Sequence, residues 1–114
     1  MSHTARLKLP LIHSGQVQKE ITHNEALSLL DILINPVVQA IGITSPEIEI
    51  DNQKPGQLYI IGTNAEQEFT GHENNIAQKL EHGWRFIIPH KWLEVVLDDD
   101  GSHYRFDGEK WQKS

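Results

Sequence analysis

The chain has 114 residues, no cysteine, a formal net charge of −6 and 38% hydrophobic residues. That length fits one domain, which buries about two thirds of the surface its unfolded form would expose. The acidic balance and the lack of any Lys or Arg cluster exclude nucleic acid and an anionic membrane surface as expected partners, and the absence of cysteine excludes a disulfide frame or a thiolate metal site. No apolar signal core follows Met1, and no window reaches the ~18 apolar residues of a membrane span. The expectation is synthesis in the cytoplasm.

In chain order, residues 1–8 read as a flexible arm, and residues 9–114 as a single domain. Leu9 to Ile12 contains Pro10 and reads as an extended edge piece, followed by the polar, glutamine-rich stretch Gly15 to Glu20. Thr22 with Glu25 forms a capping box, Ile21 sits where a hydrophobic staple would lean on Ala26, and Asn35-Pro36 stops the chain, so a helix is predicted from Thr22 to Ile34. Ala26, Leu27, Leu30, Leu33, Ile34 and Val37 recur at helical spacing. Leu29 and Ile32 widen that stripe beyond a single contact, as an oligomer interface would.

Short strands follow. Val37 to Ile43 is β-branched, and Glu47 to Asp51 alternates with Ile48 and Ile50 on one face. Lys54-Pro55-Gly56 has the order of a type II turn leading into a strand over Gln57 to Gly62. Thr63 to Glu68 reads as a loop and Phe69 to Asn75 as a tight excursion. Ile76 to Leu80 and Trp84 to Ile88 flank Gly83 as a hairpin. Trp92 to Leu97, Tyr104 to Phe106 and Lys110-Trp111 are separated by turns at Asp98 to Gly101 and Asp107-Gly108. The predicted fold class is α+β: an N-terminal helix followed by a small antiparallel meander of about five or six short strands.

The groups Leu9-Pro10, Gly15-Gln16-x-Gln18-Lys19, Thr22-His23-Asn24-Glu25-Ala26-Leu27, Gly56 to Ile61, Phe69-x-Gly71-His72, Gly83-Trp84-Arg85-Phe86 and Phe106-Asp107-Gly108-x-x-Trp111 are specific as a set. Together they resemble a family of bacterial proteins of unknown function, encoded in prophage and gene-transfer-agent tail regions, often as the front module of tail-fibre-like chains. The resemblance runs from about Leu7 to Trp111. It implies a place in a virion or phage-like particle beside other tail or fibre proteins, and carries no catalytic signature. One departure is Glu47, Glu49 and Asp51, where the resemblance implies a connection richer in Pro and Ala.

Candidate chemistry is sparse. The seven histidines include no pair at the spacing that brings two imidazoles to one ion, so no metal and no cofactor are expected. His23, at the predicted helix start, is the one that a three-fold axis would gather. Asp98, Asp99 and Asp100 before Gly101 lack the alternation of a calcium loop and read as a solvated turn. No nucleophile motif, phosphate loop or paired-carboxylate constellation is present, and a non-enzymatic role is expected. Trp84, Phe86, Trp92, Tyr104, Phe106 and Trp111 suit the core of a small sheet. An alternative places Trp111, Trp92 and Tyr104 as stacking platforms for a cell-surface polysaccharide, with Trp111 the most exposed. The reading is therefore a structural and interaction module of a tail or tail fibre, a homo-oligomer and most simply a trimer, with Leu27, Leu30, Leu33 and Ile34 at the interface.

Overall fold

A computed structural model describes residues 3–11, 17–46 and 54–114, with side chains inside the helix described from His23 onward. The predicted strand at Glu47 to Asp51 and residues Ile12 and His13 lie outside the described residues. The chain divides into two compact units, Met1–Ile34 and Asn35–Ser114.

The first unit holds helix α1, Val17–Leu33. It begins at Val17 rather than at Thr22, so Thr22 and Glu25 occupy interior turns and do not form the cap. Gln18, Lys19 and Glu20 are strong helix formers with no glycine or proline among them, and nothing stops the helix from extending back through the capping-box pattern. Its end matches the prediction. The Ile34 amide donates to Leu30 O (2.9 Å), Asn35 turns left-handed at φ 47°, and Pro36 bars continuation. Ahead of the helix, His3 bridges Pro10 in antiparallel fashion. The Thr4 amide donates to Leu9 O at 2.9 Å.

The second unit is a seven-stranded mixed sheet. Its strands are β1 (Val37–Ile43), β2 (Leu58–Ile61), β3 (Ile76–Lys79), β4 (Trp84–Ile87), β5 (Glu94–Leu97), β6 (His103–Phe106) and β7 (Trp111–Lys113), in the order β4-β3-β2-β1-β5-β6-β7. The α+β class holds, but the all-antiparallel meander of five or six strands does not. β1 pairs in parallel with both β2 and β5, and antiparallel pairing is confined to β2-β3-β4 and β5-β6-β7. Turn chemistry predicts hairpins, and those predicted from β3 onward form. A parallel partner needs a crossover of about a dozen residues or more, and no turn signature marks the strands it joins as parallel. The long connection from β1 to β2 is such a crossover.

The turns explain the register. Gly56, at φ 94°, follows Pro55, and the Gln57 amide donates to Lys54 O (3.2 Å), as a type II turn requires. Gly83 at φ 95° closes β3 to β4. β1 runs from Val38 to Ile43 against only Leu58 to Ile61, and two irregularities take up the difference. Gly42, at φ 85°, lies at the second.

All four residues of β2 are buried, as expected for an inner strand covered on both faces. Tyr59 and Ile61 join Ile43, Ala77 and Phe69 in one cluster, against which Ala40, Ala65, Trp84 and Phe86 pack. Phe69 arrives from a 3-10 turn at Gln67–Phe69. It meets Trp84 (5.0 Å, 81°) and Phe86 (6.0 Å, 89°) edge to face, a geometry that aromatic quadrupoles favour.

Candidate functional site

Leu30 on α1 and Ile34 just past its end are 49% and 47% exposed, and Leu27 and Leu33 are half-buried. Leu29 is also exposed. The four proposed interface residues therefore include two that face solvent, one turn apart. The neighbouring Asp31 is almost fully buried. Its carboxylate accepts from Thr4 Oγ1 (2.7 Å), the Arg6 amide (2.9 Å) and the Leu7 amide (2.5 Å). The Thr4 hydroxyl in turn accepts from the Leu9 amide at 2.9 Å. Arg6 Nη1 donates to the carbonyls of Asp31, Ile32 and Ile34, capping the last turn of a helix that has no basic residue of its own there. Burial pulls the Arg6 guanidinium below its ordinary pKa, and Asp31 opposes that shift. Sequence reasoning missed Asp31. Its one signal is that it is the lone charge in the apolar run Leu29 to Ile34.

The three candidate stacking residues do not converge. Trp92 is 59% exposed and sits at φ 75°, its amide donating to Phe106 O at 2.6 Å and Lys91 Nζ lying 5.1 Å from its ring. A bulky residue in that backbone region is strained. Trp111, expected to be the most exposed, is instead half-buried: its indole Nε1 donates to Asn74 O (2.8 Å) and its ring tilts against Phe106 at 5.3 Å. The reason is a contact between the last strand and a loop near the other end of the strand order. β7 is last in the strand order, yet it returns to the loop just ahead of β3. Tyr104 lies in a separate cleft.

Asn74 is the joint of that return. It is held at φ 68°, a region that Asn tolerates. Its amide donates to Ile61 O (2.9 Å) and its side chain to Glu109 O (3.1 Å). On the other side, Asp107 holds the turn between β6 and β7, accepting from the amides of Glu109 and Lys110, both at 2.8 Å, and from the Gln112 side chain at 2.6 Å. The Lys110 amide first, then that of Glu109, keeps the Asp107 carboxyl below the usual carboxylate range.

Two open clefts result. One, of about 400 Å³, is formed by Gly42, Gly62, Thr63, Asn64, Asn74, Lys110 and Trp111 together with the ends of β1 and β2. The other, of about 600 Å³, is lined by Gln39, Leu97, Asp98, Asp99 and Tyr104 beside β1. Both fall in the size range of small-molecule sites. Among the described residues, no group of three or more His, Asp or Glu side chains is placed to hold a metal. His72 stacks on Phe86 at 3.8 Å and 6°, and its Nδ1 faces the Asn75 side-chain amide at 3.4 Å.

The chain is of the α+β class, with one helix and a seven-stranded mixed sheet that carries two open clefts. The chain belongs to DUF2793, a family of proteins of unknown function, whose profile matches residues 23–112. The arm and the first turns of α1 lie outside that match. No curated protein matches the chain.

Proposed function

We propose that this protein is a non-enzymatic structural and interaction module of a phage-like tail or tail fibre, assembling as a trimer through α1. The observation that carries the reading is the solvent-facing apolar row of Leu29, Leu30 and Ile34, 40%, 49% and 47% exposed in the single chain. Large apolar side chains contiguous along the end of one helix and the residue after it mark a contact surface, and a closed ring of three copies would place one helix from each at the axis. The tail setting comes from the sequence resemblance. In this reading Gly15 to Glu20 and the arm before them make attachment contacts to other tail or fibre proteins, and the sheet is a rigid spacer or tip.

Light scattering across micromolar concentrations tests it. The wild-type protein is expected at three times the 13.0 kDa chain mass, and Leu30→Asp at the chain mass itself. A monomeric wild type refutes the assembly. A trimer that survives Leu30→Asp refutes α1 as its interface.

A further inference from the structure

The geometry points to the cleft between the end of β2 and the β6-β7 turn as a binding site for an uncharged hexopyranose unit of a saccharide. This inference goes beyond the assembly reading and does not rest on it.

A sugar ring presents an apolar face of C–H groups and a rim of hydroxyls, so its site needs a flat apolar wall, polar groups that are not already satisfied, and room for the ring. The wall is Trp111, whose plane is set by the bond from Nε1 to Asn74 O (2.8 Å) and by the contact with Phe106. Its one polar atom is spent inside the protein, and the part of the half-buried indole that lines the cleft is apolar surface for stacking. Thr63 and Asn64 supply the rim. Both line the cleft and are exposed, and among the described residues neither side chain makes a hydrogen bond within the chain. An amide offers two donors and an acceptor, the set that pairs adjacent sugar hydroxyls. Lys110, whose backbone amide is held by Asp107, adds an ammonium donor to the lining.

The floor is glycine. A Cβ built on Gly42 meets nothing within 4 Å, so that backbone lies open to the cleft, and a volume of about 400 Å³ accommodates one or two hexose rings. An uncharged ligand follows from the charge balance. Lys110 stands alone as a cation on this lining, while the chain as a whole carries −6 and repels an anionic polymer. Tyr104 and Trp92 do not line this cleft.

The test is a ¹⁵N NMR titration with gluco-, galacto-, manno- and N-acetylglucosamine tetrasaccharides, run on the wild type and on Leu30→Asp. At least one sugar is expected to shift the Trp111 indole N–H, the Gly62 amide and the Asn64 side-chain amide in both proteins, equally at low and high salt. Asn64→Ala and Lys110→Ala are expected to weaken binding about tenfold each, the usual effect of deleting one hydrogen-bonding partner. Both are exposed rim residues whose spectra report folding directly, whereas Trp111→Ala removes a structural bond. The proposal is overturned by an absence of shifts at these resonances with all four sugars, by shifts centred on Trp92 or Tyr104, or by binding that needs a carboxylated sugar and vanishes with salt. None of these outcomes bears on the mass of the assembly.

Discussion

Asp107 shows how a half-buried turn residue can organise a site. Its carboxylate gathers two backbone amides and the Gln112 side chain, and those donors favour the charged form and hold its pKa below the ordinary 3.8. A depressed folded-state value means that the stabilisation is complete above the unfolded value and is lost as pH falls through the folded one. Asp107→Ala is therefore expected to destabilise the protein at neutral pH, with the gap to wild type narrowing once the pH falls below the ordinary carboxylate value and closing below the depressed folded one in urea melts repeated across pH. A gap that persists undiminished into acid would show that the turn does not depend on the charge. The turn itself was legible, because Asp-Gly between two apolar stretches states its own geometry. Asp31 was not. Its partners Thr4 and Arg6 lie 27 and 25 residues away, and a single acid within an apolar run carries no mark of what will satisfy it.

At the scale of elements, β1 was legible to the residue, and the strands of the hairpins from β3 onward to within two residues at each end. The start of α1 was not, because a capping-box pattern in the middle of good helix formers is also compatible with an interior turn. Parallel pairing escaped as well, since it is set by backbone approach between strands distant in sequence. Gly62 makes that approach possible. Its amide donates to Ile43 O at 2.8 Å, and a Cβ there would sit 2.9 Å from Gly42 O and 3.0 Å from Gly42 C. Those are backbone atoms and cannot swing aside. Gly62→Ala is accordingly expected to cost about 1–3 kcal/mol, the range for overpacking, and to shift the Gly42 amide resonance. At Gly42 the added methyl meets open space and only the positive φ opposes it, so Gly42→Ala is expected to cost about 1–2 kcal/mol without moving Gly62. Denaturant melts of the two variants check both values, and a Gly62→Ala protein as stable as wild type would remove the close approach as the cause of the β1–β2 register.

For the sheet unit as a whole, the topology makes β1 the shared member of two antiparallel three-stranded runs, β2-β3-β4 and β5-β6-β7, each joined to it by a parallel first strand. Val38 is the residue common to both joins: it pairs with Leu58 on one side and Leu97 on the other, its carbonyl accepts from the Asp98 amide at 2.9 Å, and its side chain is fully buried. If the two runs depend on one strand for their shared core, weakening that strand lowers the opening free energy of both. Removing two buried methyl groups at Val38 costs roughly 2–3 kcal/mol once the residual cavity is included. Hydrogen exchange of Val38→Ala is therefore expected to accelerate at the amides of β2 and β3 and at those of β5 and β6 by a similar factor, a few tens to about a hundredfold. Val95→Ala, buried in β5 alone, provides the comparison. If the sheet opens as one body, it too accelerates exchange on both sides of β1. If it speeds only β5 to β7 while Val38→Ala speeds both runs, the halves open separately and β1 is their sole coupling. Acceleration confined to one run in the Val38→Ala protein would mean that β1 belongs energetically to that run alone, and that the other is held by the Trp111–Asn74 return at the opposite end of the strand order.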